Sequence, residues 1–411
     1  MRVIGLDVHR NFAQVAILEN GLMKDRGRVA MDRNAVLRFG GTLTKDDDVV
    51  IEATGNTSVI ARLLAPFVRR VAIANPLQVR AIAWAKVKTD KIDAATLARL
   101  HAAQFLPEVW MPTESVELQR RCIAERTQLV SQMTRLKNRI QSVLHANLIP
   151  PQTGRIYGKA GRQLLEQLPI APDQMRMVLR HHEEINRLAA ELSIVDKSLA
   201  ERALGDPDVK RLMTIGGINS VVACSVLAAI GDVHRFSTPE KLVSYLGLNP
   251  SVHQSGDRPA FHGHITRRGR GHARAMLVEA AWALAPGPGP LSAFFHRISK
   301  KRGNQVAAVA TARKLAVLIW HMLTKNEDYA WSRPALVQWK LRQLELKAGH
   351  ASRRGGNKPG PARDYSLKAV RDKERAWLGM AQADYERFVA GWREKPAAAS
   401  EHPPKERRWK H

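Results

Sequence analysis

The sequence predicts an α/β domain at residues 1–110, a helical coiled-coil arm at 111–205, a mainly α C-terminal domain at 206–345 and a basic tail at 346–411. Three observations carry this. Short apolar runs separated by turn-like breaks fill the first 110 residues. From Cys122 onward, apolar residues recur every seven positions through Leu129, Leu136 and Val143. After about Leu346 the chain turns to glycine, proline and charge, with Arg353-Arg354-Gly355-Gly356 and Pro359-Gly360-Pro361.

In order, runs 3–8, 12–18 and 22–30, the last two parted by Glu19-Asn20-Gly21, read as a three-stranded antiparallel meander. A helix is expected over 34–43, then an acidic turn at Asp46-Asp47-Asp48. A buried strand at 49–53 follows, then a helix at 57–68 and a fifth strand at 70–74 that Asn75-Pro76 ends. The order βββαβαβα with an antiparallel start is that of a ribonuclease-H-like (RuvC-like) fold. In the arm, Met133 and Ile140 fill the seam between the heptad positions, and Arg120, Arg121, Arg126, Arg135, Lys137 and Arg139 lie on other faces. A second helical run, 174–204, is expected to fold back across Ile149-Pro150-Pro151. An arm for dimerisation or nucleic-acid contact and an intramolecular helical hairpin fit this pattern equally. The tail should hold an amphipathic helix over 367–393, with Trp377, Leu378, Tyr385, Phe388 and Trp392, and 396–411 should be disordered.

Composition narrows the function. There are 65 Lys and Arg against 38 Asp and Glu, a formal charge of +27. Such an excess predicts a polyanionic partner, nucleic acid first, because phosphate neutralisation releases counterions. The longest run of apolar residues, 221–230, is about half a membrane span. Asp7 interrupts the N-terminal run too early for a signal peptide, and two cysteines, Cys122 and Cys224, exclude a disulfide scaffold. A secreted, membrane or zinc-finger protein is therefore not expected.

Four carboxylates stand where a metal site needs them. Asp7 and Glu52 end apolar strands that are neighbours in such a sheet, and Asp90 and Asp93 are three apart at a helix start. Hard oxygen ligands of this kind suit Mg²⁺ and phosphoryl transfer. Singly, each has a plainer explanation: Asp90 and Asp93 as a capping pair, Asp7 and Glu52 as strand ends meeting lysines. The set in this order is harder to dismiss.

The segments GLDVH around Asp7, IEATG around Glu52, KTDKIDA around Asp90 and Asp93, and ANP at 74–76 resemble the DEDD transposases of the insertion-sequence 110 family. The C-terminal half is similar too. LMTIGGINSVVACSVL resembles that family's glycine-containing hairpin between helices, with Gly216-Gly217-Ile218-Asn219 in place of Pro-Gly-Ile-Gly. Gly217 is then a candidate phosphate contact, and Asn219 is expected to tolerate a left-handed turn. YLGLNP leads to SVHQSGDRPAFHGHITRRGRGHARAML, where Ser255 falls on the position of the family's nucleophile and Ser251 is the competitor. Arg258, Arg267, Arg268, Arg270 and Arg274 could surround a scissile phosphate. His253, His262, His264 and His272 suit phosphate contacts or surface positions better than zinc.

The resemblance covers about residues 1–325. It implies a DNA recombinase that cuts and rejoins strands for insertion-sequence mobility. Mg²⁺ would be held by Asp7, Glu52, Asp90 and Asp93, and Ser255 would form a covalent link to DNA. It further implies donor and target DNA, a structured guide RNA, a homodimer or tetramer whose site joins two subunits, and a bacterial cytoplasmic location. A junction-resolving nuclease that activates water with the same acids is the first alternative, and a non-catalytic nucleic-acid-binding protein the second.

Overall fold

The computed structural model describes residues 2–83, 89–152, 154–158, 160–256, 259–351 and 361–393. The chain forms two compact units, 1–114 and 115–411.

The first unit is a five-stranded sheet flanked by helices. Its elements are β1 (Arg2–Val8), β2 (Phe12–Glu19), β3 (Leu22–Ala30), α1 (Arg33–Gly40), β4 (Asp47–Glu52), α2 (Thr57–Leu64), β5 (Arg70–Ala74), α3 (Pro76–Ile82) and α4 (Asp90–Ala102). The strand order is β3-β2-β1-β4-β5, with β1, β2 and β3 antiparallel and β4 and β5 parallel to β1. The antiparallel meander of the first three strands and the neighbouring of β1 and β4 are as expected from the sequence. Side chains alternate across a strand, so Ile4, Leu6, Val49 and Ile51 pack with Ile60, Ala61 and Leu64 of α2. Val3 and Val50 instead meet Leu97 and Ala98 of α4 on the other face. Between them Gly5 has no room for a side chain: a Cβ there would lie 1.9 Å from the Ala94 carbonyl oxygen. Glycine is what lets α4 rest directly on β1.

The expected acidic turn at Asp46-Asp47-Asp48 is corrected. Asp47 and Asp48 are buried at the start of β4. Arg2 grips Asp47 through Nε and Nη2 at 2.8 and 2.5 Å, and Arg69 grips Asp48 at 2.9 and 2.7 Å. His101 Nε2 lies 2.8 Å from Asp48. Burial alone would raise the Asp48 carboxyl, but Arg69 and His101 outweigh it and hold it below the usual range. Charges that look like turn chemistry in sequence are tolerated in the sheet because each meets a fork of donors.

The second unit contains α5 (Glu114–Ala146), α6 (Gly161–Glu166), α7 (Pro172–Gly205), α8 (Pro207–Met213), α9 (Ser220–Ile230), α10 (Pro239–Tyr245), β6 (Pro250–His253), β7 (Phe261–Ile265), α11 (Gly271–Leu284), α12 (Pro290–Arg302), α13 (Asn304–Lys325), α14 (Pro334–Lys347) and α15 (Lys368–Arg393). Helix α5 starts one residue before the unit boundary. Helices α5 and α7 pair antiparallel within the chain: Ile123 packs by Leu199, Arg126 bonds Asp196, Ile140 and Leu144 pack with Val178 and Ile185, and Asn147 bonds Gln174. The intramolecular hairpin accounts for the heptad spacing, and Cys122 is only half-buried beside Ile123. Cys224 is buried in the core, which pushes its thiol up to about 12.

The glycine turn between α8 and α9 is held from both sides. A Cβ on Gly217 would lie 2.4 Å from the Ala280 carbonyl oxygen, so this glycine admits α11. Asn219 is extended, not left-handed, and caps α9 by accepting from Val222 N–H. Buried Lys340 donates to the carbonyls of Met213, Ile215 and Ile218 at 2.9, 2.7 and 2.8 Å. Helix α13 is long and apolar enough to cross a membrane, which the sequence reading passed over; half of its apolar window is buried against the core of this unit. Helix α15 matches the expected tail helix. The linker at 352–360 and the segment 396–411 lie outside the described residues, as does the side chain of Trp392.

Overpacking at Gly5 tests how α4 is seated. Gly5→Ala should cost about 3 kcal/mol, read as a lowered urea midpoint with an unchanged slope. A midpoint equal to the parent's would mean that α4 does not rest on β1.

Candidate functional site

The acidic residues converge on one edge of the first sheet. Leu6 is the register partner of Ile51, so Asp7 and Glu52 follow it side by side at the ends of parallel strands. Both lie on the face that α4 covers, in phase with Val3, Gly5 and Val50. Helix α4 begins at that edge. Its N-cap is Thr89, which accepts from Ile92 N–H at 3.3 Å, so Asp90 and Asp93 are not needed as caps and sit in the first turn. Asp90 and Asp93 act electrostatically on Asp7.

The sequence reading missed His9. Its Nε2 is 3.2 Å from Asp7 Oδ2 and 3.3 Å from Asp90 Oδ1. Among the described residues, Asp7, His9 and Asp90 form the group able to hold a metal ion, with donor atoms within 4.8 Å of one another. Glu52 and Asp93 stand outside that group. Phe12 orients the histidine: the rings are 4.9 Å apart, and Arg28 covers Phe12 at 4.1 Å while reaching Asp90 at 3.8 Å. A histidine two residues past a strand-ending aspartate was the available signal.

Burial is the main influence on Asp7 and raises its carboxyl, and Asp93 and Asp90 add to the rise against the opposing pull of His9. A cation at this edge would relieve both burial and like-charge repulsion. Carboxylate oxygens with one imidazole nitrogen fit a divalent ion of hard or borderline character.

Ser255 belongs to the second unit. Strands β6 and β7 form an antiparallel hairpin that the sequence reading did not foresee, pairing Pro250 with Ile265, Val252 with His262 and His253 with Phe261. Ser255 is exposed in the connecting loop, next to Gly256 at φ +58°. Ser251 instead sits in β6, close against Gly263, where a Cβ would lie 2.5 Å from its Oγ. Arg267 and Arg268 are exposed after β7, and Arg267 holds φ +56°, a strained position for a residue with a side chain. Arg270 donates to the Tyr245 hydroxyl at 2.8 Å and Arg274 to the Leu246 carbonyl at 2.9 Å. Arg258 lies outside the described residues, as does the side chain of His262. His253 and His264 are exposed and His272 meets Ser225 Oγ at 3.3 Å.

Two family models match parts of the chain. A family model described as Transposase, of the DEDD type found in IS110, matches residues 4–148. A second, described as Transposase IS116/IS110/IS902 family, matches residues 209–295. The chain is 25% identical to the transposase for insertion sequence element IS1111A of Coxiella burnetii over 345 residues, 80% of this chain and 91% of that protein. It is 27% identical to a probable family 20 transposase of Pseudomonas aeruginosa over 68% of this chain and 85% of that protein. It is 25% identical to a pilin gene-inverting protein of Moraxella bovis over 68% and 81%.

The raised carboxyl of Asp7 makes it a burden on the fold. The cost is absent at low pH, where folded and unfolded chains both carry the proton, and is complete once pH exceeds the raised value. In a chelator at neutral pH, Asp7→Asn should therefore raise the melting temperature by about 2 °C, and the gain should vanish on acidification. Adding Mg²⁺ or Mn²⁺ should stabilise the parent and not the variant. A melting temperature lowered by Asp7→Asn in chelator would show that the carboxylate is structural.

Proposed function

The chain belongs to the IS110 family of DEDD transposases and is a DNA-recombining enzyme; from that premise we propose that it cuts and rejoins strands with a Mg²⁺-bound acidic tetrad and Ser255 as nucleophile. The observation that carries this reading is the meeting of Asp7 and Glu52, at adjacent strand ends, with the acidic first turn of α4 on one face of the sheet. Asp7, Glu52, Asp90 and Asp93 would hold the ion, with His9 bridging two of them. A divalent ion held there would supply charge stabilisation to phosphoryl transfer.

The chain's own groups do the rest. The Ser255 hydroxyl gives up its proton and its Oγ forms a bond to phosphorus, while the bond to the leaving strand breaks and that strand departs as a hydroxyl. The ester keeps the bond energy, so a second strand's hydroxyl can attack it and free the serine. Exposure of Ser255 in a loop beside Gly256 supports access by a bulky backbone. Arg267 and Arg268 with Arg258, Arg270 and Arg274 supply positive surroundings for phosphates, and the Gly217 turn is a further backbone contact. Donor and target DNA, a structured guide RNA and an oligomer of this chain complete the reading. Sequencing the nucleic acid that copurifies with the protein would identify the RNA.

With nicked, labelled DNA and Mg²⁺, the parent should form a denaturation-resistant protein–DNA adduct. Ser255→Ala should abolish it and keep DNA binding; Ser251→Ala should leave it intact. Metal-dependent cleavage that persists in Ser255→Ala, with no adduct in the parent, would leave the water-activating nuclease instead. Asp7→Asn, Glu52→Gln, Asp90→Asn and Asp93→Asn should each lower recombination by at least about a hundredfold, because ligands of one ion are non-additive. Near-parental recombination by Asp93→Asn would remove that residue from the set.

A further inference from the structure

Three guanidinium groups of the second unit crowd one tyrosine. Arg270 donates to the Tyr245 hydroxyl at 2.8 Å. Arg235 stacks 4.3 Å from the Tyr245 ring centre and 4.1 Å from that of Phe236. Arg120 acts on the same hydroxyl from α5. Part of this has a structural cause, since Arg120 bonds the Ala228 and Ala229 carbonyls at 2.7 and 3.0 Å and Arg235 bonds that of Ile230 at 3.0 Å. These carbonyls close the C-terminal turn of α9. Capping explains two arginines. It does not explain why Arg270 adds a third to the same spot, where burial and then mutual repulsion disfavour the charge on Arg120.

The cluster opens into a cleft of about 710 Å³ between α5, α9 and the start of α11. Its volume falls within the range of about 300–1,000 Å³ typical of ligand sites. Arg120, Gln128 and Ser131 line the α5 wall, and Arg270, His272 and Ser225 the other. None of the described lining residues is acidic. A concave, low-dielectric surface lined by one sign of charge concentrates its field on a counter-ion. An anion would relieve the repulsion that the fold otherwise bears.

We propose that this cleft seats a backbone phosphodiester of a bound nucleic-acid strand, between Arg120 and Arg270. The proposal rests on the reading of the chain as a nucleic-acid enzyme. Phosphodiesters of DNA and of RNA share the chemistry, so the test separates them.

The full chain in chelator is titrated with labelled duplex DNA and, separately, a labelled RNA hairpin, by fluorescence anisotropy at several salt concentrations. Gln128 and Ser131 are exposed, so charge can be added there without disturbing the α9 cap. Gln128→Glu with Ser131→Glu should weaken binding about tenfold and flatten the salt slope by about 0.7–0.9, one phosphate's worth. Gln128→Lys should strengthen binding. Loss on the duplex alone assigns the cleft to DNA, and on the hairpin alone to RNA; either supports the proposal. Parental affinity and slope in both charge variants overturn the cleft while leaving the enzyme reading intact. A parent that binds neither probe overturns both.

Discussion

The first unit is organised around the missing side chain at Gly5. A helix can lie within backbone-to-backbone distance of a strand only where the strand has nothing to put between them, and the Ala94 carbonyl occupies the space a Cβ would take. Everything chemical at the sheet edge depends on that approach. It brings the first turn of α4 to the ends of β1 and β4, so that burial, with Asp93 and Asp90 adding to it, raises the Asp7 carboxyl and His9 spans Asp7 and Asp90. A glycine two residues before Asp7 thus sets how closely the helix carrying Asp90 and Asp93 can rest on the sheet.

Much of this was legible in the sequence because it is local. Five strands, the antiparallel pairing of the first three and the strand-end position of Asp7 and Glu52 follow from runs of apolar residues and turn signals. What the pattern could not reveal depended on contacts distant in sequence. Asp47 and Asp48 read as a turn because the arginine and histidine that neutralise them lie at Arg2, Arg69 and His101. The β6–β7 hairpin leaves little trace in the sequence because its strands are short and carry histidine and glycine rather than a run of apolar residues. The heptad pattern of α5 is plain in the sequence, but its partner is the chain's own α7, and periodicity does not say whose helix fills the seam.

The second unit shows how a polar group can organise an apolar core. Lys340 gives its three protons to carbonyls of Met213, Ile215 and Ile218 on either side of the glycine turn, although burial pushes its ammonium down to about 7. The turn is thereby fixed from the carbonyl side while Gly217 fixes it against α11. The packing of Gly217 and its proposed contact with phosphate are compatible, since the first concerns the Cα and the second the amide.

Strand β4 carries carboxylates at both of its ends, and they have different fates. At its beginning, forked guanidinium groups already occupy the oxygens of Asp47 and Asp48, so a cation arriving there would first have to evict an arginine from each. At its far end Glu52 stands beside Asp7, whose environment favours an incoming positive charge. One short strand therefore commits the carboxylates at its beginning to holding the sheet together, and those at its two ends meet different surroundings.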